Sequence, residues 1–286
     1  MKDRKNPFVG PRSLEWGEAL FGREHENEAL FHLLVAERVV LLYSPSGAGK
    51  TSLIQAGLIP KLEREGFWVL TGHKCVRVST SPGSELAGRA NWYVHSTLLS
   101  LDDSLGGEKG SSPTSLAEQD IAHYLADKLR QSENQKTPIL IFDQFEEVLT
   151  KDPTNLAAKK EFFRQVGKAL ENKGLWALFA MREEYRSALD QFRNSIPTRF
   201  QNTFRLDLLD NARALKAFRR PIENMGIVFE EGLAETVIND LRRVNVEGMT
   251  GTLEAQVGPY VEPMLLQVLG ERMWRKLPDG SQRITT

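Results

Sequence analysis

The chain is poor in cysteine: Cys75 is the single one in 286 residues. An internal disulfide is therefore excluded, and a reducing compartment fits best. His25, His32, His73, His95 and His123 are scattered without ligand spacing, which argues against a zinc centre. Long apolar runs are also missing, and nothing approaches the ~18 residues that span a bilayer. The charged start Met-Lys-Asp-Arg-Lys-Asn-Pro leads into no signal-peptide core, so the expected location is cytoplasmic, with no membrane partner. Charge of one sign is lacking too. Lys plus Arg (37) nearly cancel Asp plus Glu (38), so no global field marks a nucleic-acid partner. There is no internal repeat, no nucleophile elbow for a Ser-His-Asp hydrolase, and no Asn-Lys-x-Asp guanine motif.

What is present suits a soluble globular protein, with 41% hydrophobic and 26% charged residues. Residues 6–23 are rich in Pro and Gly and read as an arm. Glu24 to Glu37 carries Leu30, Leu33 and Leu34 at helical spacing. A strand over 38–43 follows, then a helix from Lys50 to about Glu65 with breaks at Gly57 and Pro60. Phe67–Leu70 and Cys75–Ser79 read as strands. Periodicity fades from Ser81 to Ser115, and Gly106–Pro113 reads as a mobile loop. A helix over Leu116–Arg130, a strand Ile139–Phe142, a helix over 156–171 ending at Gly174, and a strand Leu175–Met181 come next. Strands alternating with helices imply an α/β fold with a parallel sheet covered on both faces. Beyond Arg205 the strand signal nearly disappears. Helices over Asn211–Arg220, Glu231–Val244 and Glu262–Lys276 suggest a small helical appendage. The expected organisation is an arm (1–23), a core (24–205) and a helical lid (206–286), the last stopping as though a longer polypeptide had been cut.

The strand Val39–Tyr43 runs into Ser44-Pro-Ser-Gly-Ala-Gly-Lys-Thr51, a Walker A pattern with Ser44 at the first glycine. Gly47 and Gly49 let backbone N–H groups turn inward towards phosphate oxygens. Ser46, Ala48 and Ser52 complete the loop and its helix start. Lys50 is placed to reach the β/γ-phosphates, and the Thr51 hydroxyl to ligate Mg²⁺. A Gly-Lys-Thr triplet can arise by chance in a surface turn. The apolar strand before it and the helix after it argue otherwise.

Ile139–Phe142 ends in Asp143, the expected Walker B carboxylate, delivered beside the P-loop strand to hold Mg²⁺ through water. The alternative is an ordinary turn Asp closing a core strand. Asp143-Gln-Phe-Glu-Glu147 follows, and hydrolysis needs a group that positions or deprotonates water. Helical spacing favours Glu146 as base over Glu147, while Gln144 could orient water instead. The acids could equally be solvated residues of a first helical turn. Arg182 ends its strand and is either a γ-phosphate sensor or the surface partner of Glu183 or Glu146.

With both motifs placed, the chain resembles the STAND class of signalling NTPases, most closely the bacterial novel STAND group. The stretches that carry the likeness are Asn6-Pro-Phe-Val-Gly-Pro-Arg-Ser13, Phe21-Gly-Arg-Glu24, Ser46–Pro60, Asp143–Glu147 and Pro263–Trp274. Asp143–Glu147 also resembles the acidic tail of NACHT ATPases. The resemblance implies an ATP-driven switch, binding ATP or ADP with Mg²⁺ between core and lid and hydrolysing slowly. It implies self-association on activation, a C-terminal sensor and an effector outside these residues, and roles in signalling or antiviral defence. Carried over, Gly22 and Arg23 would lie near the adenosine, Arg182 would be the first sensor, and Pro221 would touch the base. Ser44 in the loop and Arg220 before Pro221 depart from the family pattern. The competing readings are a non-catalytic nucleotide-binding scaffold and a nucleic-acid-associated AAA+ type ATPase. The last rests on nine Arg/Lys against five Asp/Glu over 182–220, an excess that a solvated face explains as well.

Overall fold

A computed structural model describes residues 6–78, 91–106, 111–152, 154–247, 253–278 and 280–285. The chain divides into two compact units. One comprises Ala29–Pro45 and Leu58–Leu206, the other Met1–Glu28, Ser46–Gly57 and Asp207–Thr286.

The first unit is built on a five-stranded parallel sheet. Its strands are β1 (Val39–Ser44), β2 (Phe67–Val69), β3 (Thr137–Phe142), β4 (Trp176–Arg182) and β5 (Thr203–Arg205), in the order β2-β3-β4-β1-β5. The central strands are apolar almost without interruption, as parallel strands buried on both faces are. The order corrects one expectation. β3 does not lie beside β1, because β4 pairs with both and stands between them. Helices α4 (Trp92–Leu105), α6 (Ile121–Gln131) and α8 (Leu156–Leu170) pack on one another in the same unit. α6 starts where the Asp120 carboxylate accepts from the N–H groups of Ala122 and His123, and α8 where Asn155 accepts from Ala158. Phe142, Phe145, Phe162, Phe163, Phe179, Phe192 and Phe200 form a linked aromatic cluster, with Phe142 stacked on Phe179 at 5.0 Å. This cluster backs the end of β3 and the short helix α7 (Glu146–Thr150) that follows it.

The sequence reading missed α4, which lies in the stretch where periodicity fades. Tyr93, Val94, His95, Ser96, Thr97, Leu98, Leu101 and Asp102 are all buried, so the helix has no polar stripe to reveal it. Its buried hydroxyls are satisfied internally, Ser96 and Thr97 both donating to the Tyr93 carbonyl. The predicted helix over Leu116–Arg130 is two pieces, α5 (Pro113–Ala117) and α6. Of the predicted strand Cys75–Ser79, Val76 makes one parallel bridge to Phe142, and Ser79 lies outside the described residues. The loop expected over Gly106–Pro113 lies outside them at 107–110.

In the second unit, α9 (Asn211–Glu223) packs against α10 (Leu233–Leu241) and α11 (Pro263–Arg275). Their apolar faces, with Phe8 from the arm, make one core that includes Ala214, Phe218, Ile222, Ile238 and Leu266. This region is not purely helical. Strand β6 (Leu209–Asp210) pairs with β10 (Tyr260–Val261), and β7 (Val228–Phe229) with β11 (Arg283–Ile284). An antiparallel hairpin joins β8 (Arg243–Glu247) to β9 (Leu253–Val257). α10 accordingly stops at Leu241, where the sequence suggested Val244. The β-branched Val244 and Val246 favour the strand that begins there.

α1 (Glu24–Glu37) matches its expected span. The helical segment after the phosphate loop is continuous but irregular. α2 (Lys50–Ser52) passes through a π-wound turn (Leu53–Leu58) into α3 (Ile59–Arg64), with Pro60 tolerated in the first turn of α3. Among the described residues no helix is long and apolar enough to cross a membrane.

Candidate nucleotide site

β1 ends at Ser44, and the loop Pro45–Gly49 begins there. Ser44 is fully buried in extended backbone, with its hydroxyl donating to the Pro45 carbonyl at 2.7 Å. The left-handed turns fall later, at Gly47 (φ 78°) and Gly49 (φ 88°), the positions where a side chain would be strained. Those two glycines therefore carry the curl, and the serine in place of the first glycine needs no special backbone. Ala48 is buried between them, while Lys50 and Thr51 open the helix half-exposed. The Ser52 hydroxyl accepts from the Leu14 N–H at 3.0 Å, tying the arm to the first helical turn.

The Gly-Arg-Glu stretch is built into this same unit. Gly22 (φ 78°) passes so close to α9 that a Cβ there would meet the Arg213 carbonyl at 2.5 Å. Arg23 is only 4% exposed. Its guanidinium donates to the Ala48 carbonyl at 2.9 Å and the Asp207 carbonyl at 2.7 Å, and pairs with Glu26 at 2.7 Å. Burial pushes Arg23 below the ordinary arginine value, against the pull of Glu26. Arg23 is thus a strut beneath the loop, joining it to the start of the C-terminal segment. Glu24 pairs with Lys216 of α9 at 3.0 Å. The arm motif has a packing role as well. Phe8 lies against Gly270 of α11, where a Cβ would come within 2.5 Å of its ring, and Val9 N–H donates to Gln267. Pro221 is buried inside the last turn of α9, and Arg220 pairs with Glu223 at the surface.

The acidic residues singled out in the sequence belong to the sheet unit. Asp143 follows β3, 5% exposed, and its carboxylate accepts from the Gln144 N–H at 2.9 Å. Gln144 holds φ at 54°, an unusual value for a non-glycine residue. That kink lets Phe145 N–H reach the Ala180 carbonyl and starts α7 at Glu146. Arg77 holds the Gln144 side chain at 3.2 Å.

Glu146 and Glu147 diverge. Glu146 is 8% exposed and faces β4, where Arg182 Nε stands 3.2 Å from Oε1 and the Arg182 N–H donates to Oε2 at 3.3 Å. Glu147 instead pairs along the helix with Lys151 at 2.8 Å. Register places Arg182 opposite Ser44, the last residue of β1. Glu146 and Arg182 are therefore brought together at the C-terminal ends of β1 and β4.

Two residues that contact the loop were not singled out as site residues. Glu262 and Pro263, at the start of α11, stand against Gly47 and Gly49. Their place at the head of a helical signature is the sequence signal that could have found them.

A parallel sheet with a glycine-rich loop issuing from β1 and a buried acid ending β3 defines a P-loop NTPase fold. The Novel STAND NTPase 1 family model matches residues 7–285, and the chain belongs to that family. No curated protein matches it. Among solved structures it is similar to the Walker-type ATPase PABY2304 of Pyrococcus abyssi, at 16% identity and a TM-score of 0.58 over 93% of this chain and 71% of that one. It is also similar to the Aeropyrum pernix ORC2 protein in ADPNP–ADP complexes, at 17% identity and a TM-score of 0.51 over 77% of this chain and 56% of that one. The ADP form of that protein gives 18% identity and a TM-score of 0.50, over 76% and 57%. At these identities the likeness is one of fold.

Proposed function

We propose that the chain is an ATP-binding, slowly hydrolysing switch module of a STAND-type signalling or antiviral-defence protein. One observation carries the reading: the phosphate loop is packed into the same unit as the C-terminal segment. Arg23 joins the Ala48 carbonyl to that of Asp207, and α11 begins against Gly47 and Gly49. That proximity supports a coupling between a ligand on the loop and α11. Gly47 and Gly49 suit a phosphate loop, because both hold the left-handed backbone that lets N–H groups turn towards an anion. Lys50 would supply the positive charge for the β/γ-phosphates. The Thr51 hydroxyl and Asp143 carboxylate are hard oxygen donors of the kind Mg²⁺ takes, and the ion would neutralise phosphate charge. Glu146 is the residue assigned to water activation, with Arg182 holding its carboxylate. Self-association controlled by the bound nucleotide, in the cytoplasm, belongs to the same reading.

The test is release of γ-phosphate from labelled ATP. Lys50→Ala and Glu146→Gln should each lower turnover by about 100-fold or more. Glu147→Gln, which loses only a pair with Lys151, should stay within about twofold of wild type. Equal rates for wild type and Glu146→Gln would remove the assignment. A second reading, a nucleotide-holding scaffold without turnover, is favoured by the double engagement of Glu146 by Arg182. Nucleotide that copurifies and survives incubation with Mg²⁺ unhydrolysed would establish it.

A further inference from the structure

Glu262 occupies the N-cap position of α11, yet its side chain accepts no hydrogen bond from that helix. Short polar side chains are preferred at such positions because they fold back onto the N2 or N3 amide. The longer glutamate reaches away. Its Oε2 stands 3.1 Å, and its Cδ 3.4 Å, from the point where a Cβ would sit on Gly47. The next residue, Pro263, stands 3.6 Å from the same point on Gly49. A negatively charged group thus rests on a loop whose curled backbone is built to receive negative charge. No ion pair or side-chain hydrogen bond engages the Glu262 carboxylate among the described residues.

We propose that Glu262 is a specificity-determining residue of the phosphate loop, its carboxylate disfavouring the nucleoside triphosphate relative to the diphosphate. The inference rests on the nucleotide-binding reading above. Its physical basis is Coulombic. The triphosphate brings one more unit of negative charge to the loop than the diphosphate does. With Glu262 in place, that extra charge is repelled or must displace the carboxylate, and α11 with it. Lys50 and Arg23 offset the repulsion only in part. Lys50 acts on both nucleotides, and Arg23 already spends its donors on Glu26 and two carbonyls. Discrimination of this kind weakens as salt screens the charges, which separates it from a steric effect.

The experiment is calorimetric titration of the whole chain with Mg²⁺ and either ADP or a non-hydrolysable ATP imido analogue, at low and high salt. Wild type, Glu262→Gln, Glu262→Ala, Lys50→Ala and the charge-matched surface control Glu231→Gln are compared. In Glu262→Gln and Glu262→Ala the analogue should gain about tenfold in affinity relative to ADP. The wild-type preference for ADP should shrink at high salt, and the control should behave as wild type. The wild-type salt series reads the repulsion without any variant having to fold. An unchanged ratio in both Glu262 variants, a salt-independent ratio in wild type, or weaker analogue binding after substitution would each overturn the inference. Wild type binding neither nucleotide would instead bring down the nucleotide reading with it. Binding that needs Lys50 but ignores Glu262 would leave that reading standing.

Discussion

Gly22 shows what a single residue contributes where two chain segments meet. It lies in the left-handed region, and the space a Cβ needs is held by the Arg213 carbonyl. Neither condition can be relaxed cheaply, since the obstacle is backbone of α9. Gly22→Ala should therefore destabilise the fold by about 2 kcal/mol or more. A urea titration reads this as a lower midpoint at unchanged slope. An unchanged midpoint would show that the arm yields freely. Gly17, also at positive φ but with open space around it, is the natural comparison, and its substitution should cost less. At this scale the sequence was informative wherever a glycine carries a turn, as at Gly47 and Gly49. It was less so where a charge is buried. Arg23 is legible as part of a Gly-Arg-Glu signature, but its hydrogen bonds to carbonyls 25 and 184 residues away depend on tertiary placement.

Elements are tied together by buried polar groups that periodicity cannot reveal. Asp102, near the end of α4, accepts from the Ser111 N–H and hydroxyl and from the Tyr124 hydroxyl of α6, with Lys128 at 3.9 Å. Burial alone would raise its carboxyl. The hydrogen bonds and the Lys128 charge outweigh this and hold it below the usual carboxylate range. A depressed folded-state value means the ionised form is favoured by folding. The contribution is fully present above the unfolded value near 3.8 and is lost as pH falls through the lower folded value. Asp102→Asn should cost about 1–3 kcal/mol at neutral pH. The gap from wild type should close on acidification below about pH 4, as denaturation midpoints across pH would show. A gap independent of pH would mean that shape, not charge, holds α4 to α6. The helices with one wet face, α6 and α8, were legible from their 3.6-residue repeat. α4 was not, because burial on nearly all sides erases the contrast on which that repeat depends. The small strands of the C-terminal unit escaped for a different reason: two-residue pairings such as β6 with β10 leave no alternating pattern to find.

For the molecule as a whole, the unit that contains the phosphate loop is assembled from three separate stretches of chain. The arm and the C-terminal third share one core, and hydrogen bonds from Leu14 and Arg23 tie the loop and its first helical turn to both. A ligand on the loop is then linked to the stability of all three. Ligand that binds only the folded state adds RT ln(1 + [L]/Kd), about 2.7 kcal/mol at one hundred times Kd. For a chain of this size that corresponds to roughly 5–10 °C in melting temperature. The shift should rise with the logarithm of nucleotide concentration and vanish in Lys50→Ala. It should also appear as slower proteolysis within the arm as well as in the C-terminal third, because the strut residues join them to the same loop. Protection confined to residues 46–57 would show that the loop binds without engaging its neighbours, and a switch could not work through this unit. Protection spreading to Phe8 and to α11 together would mean that occupancy of a few backbone amides is transmitted to both ends of the sequence.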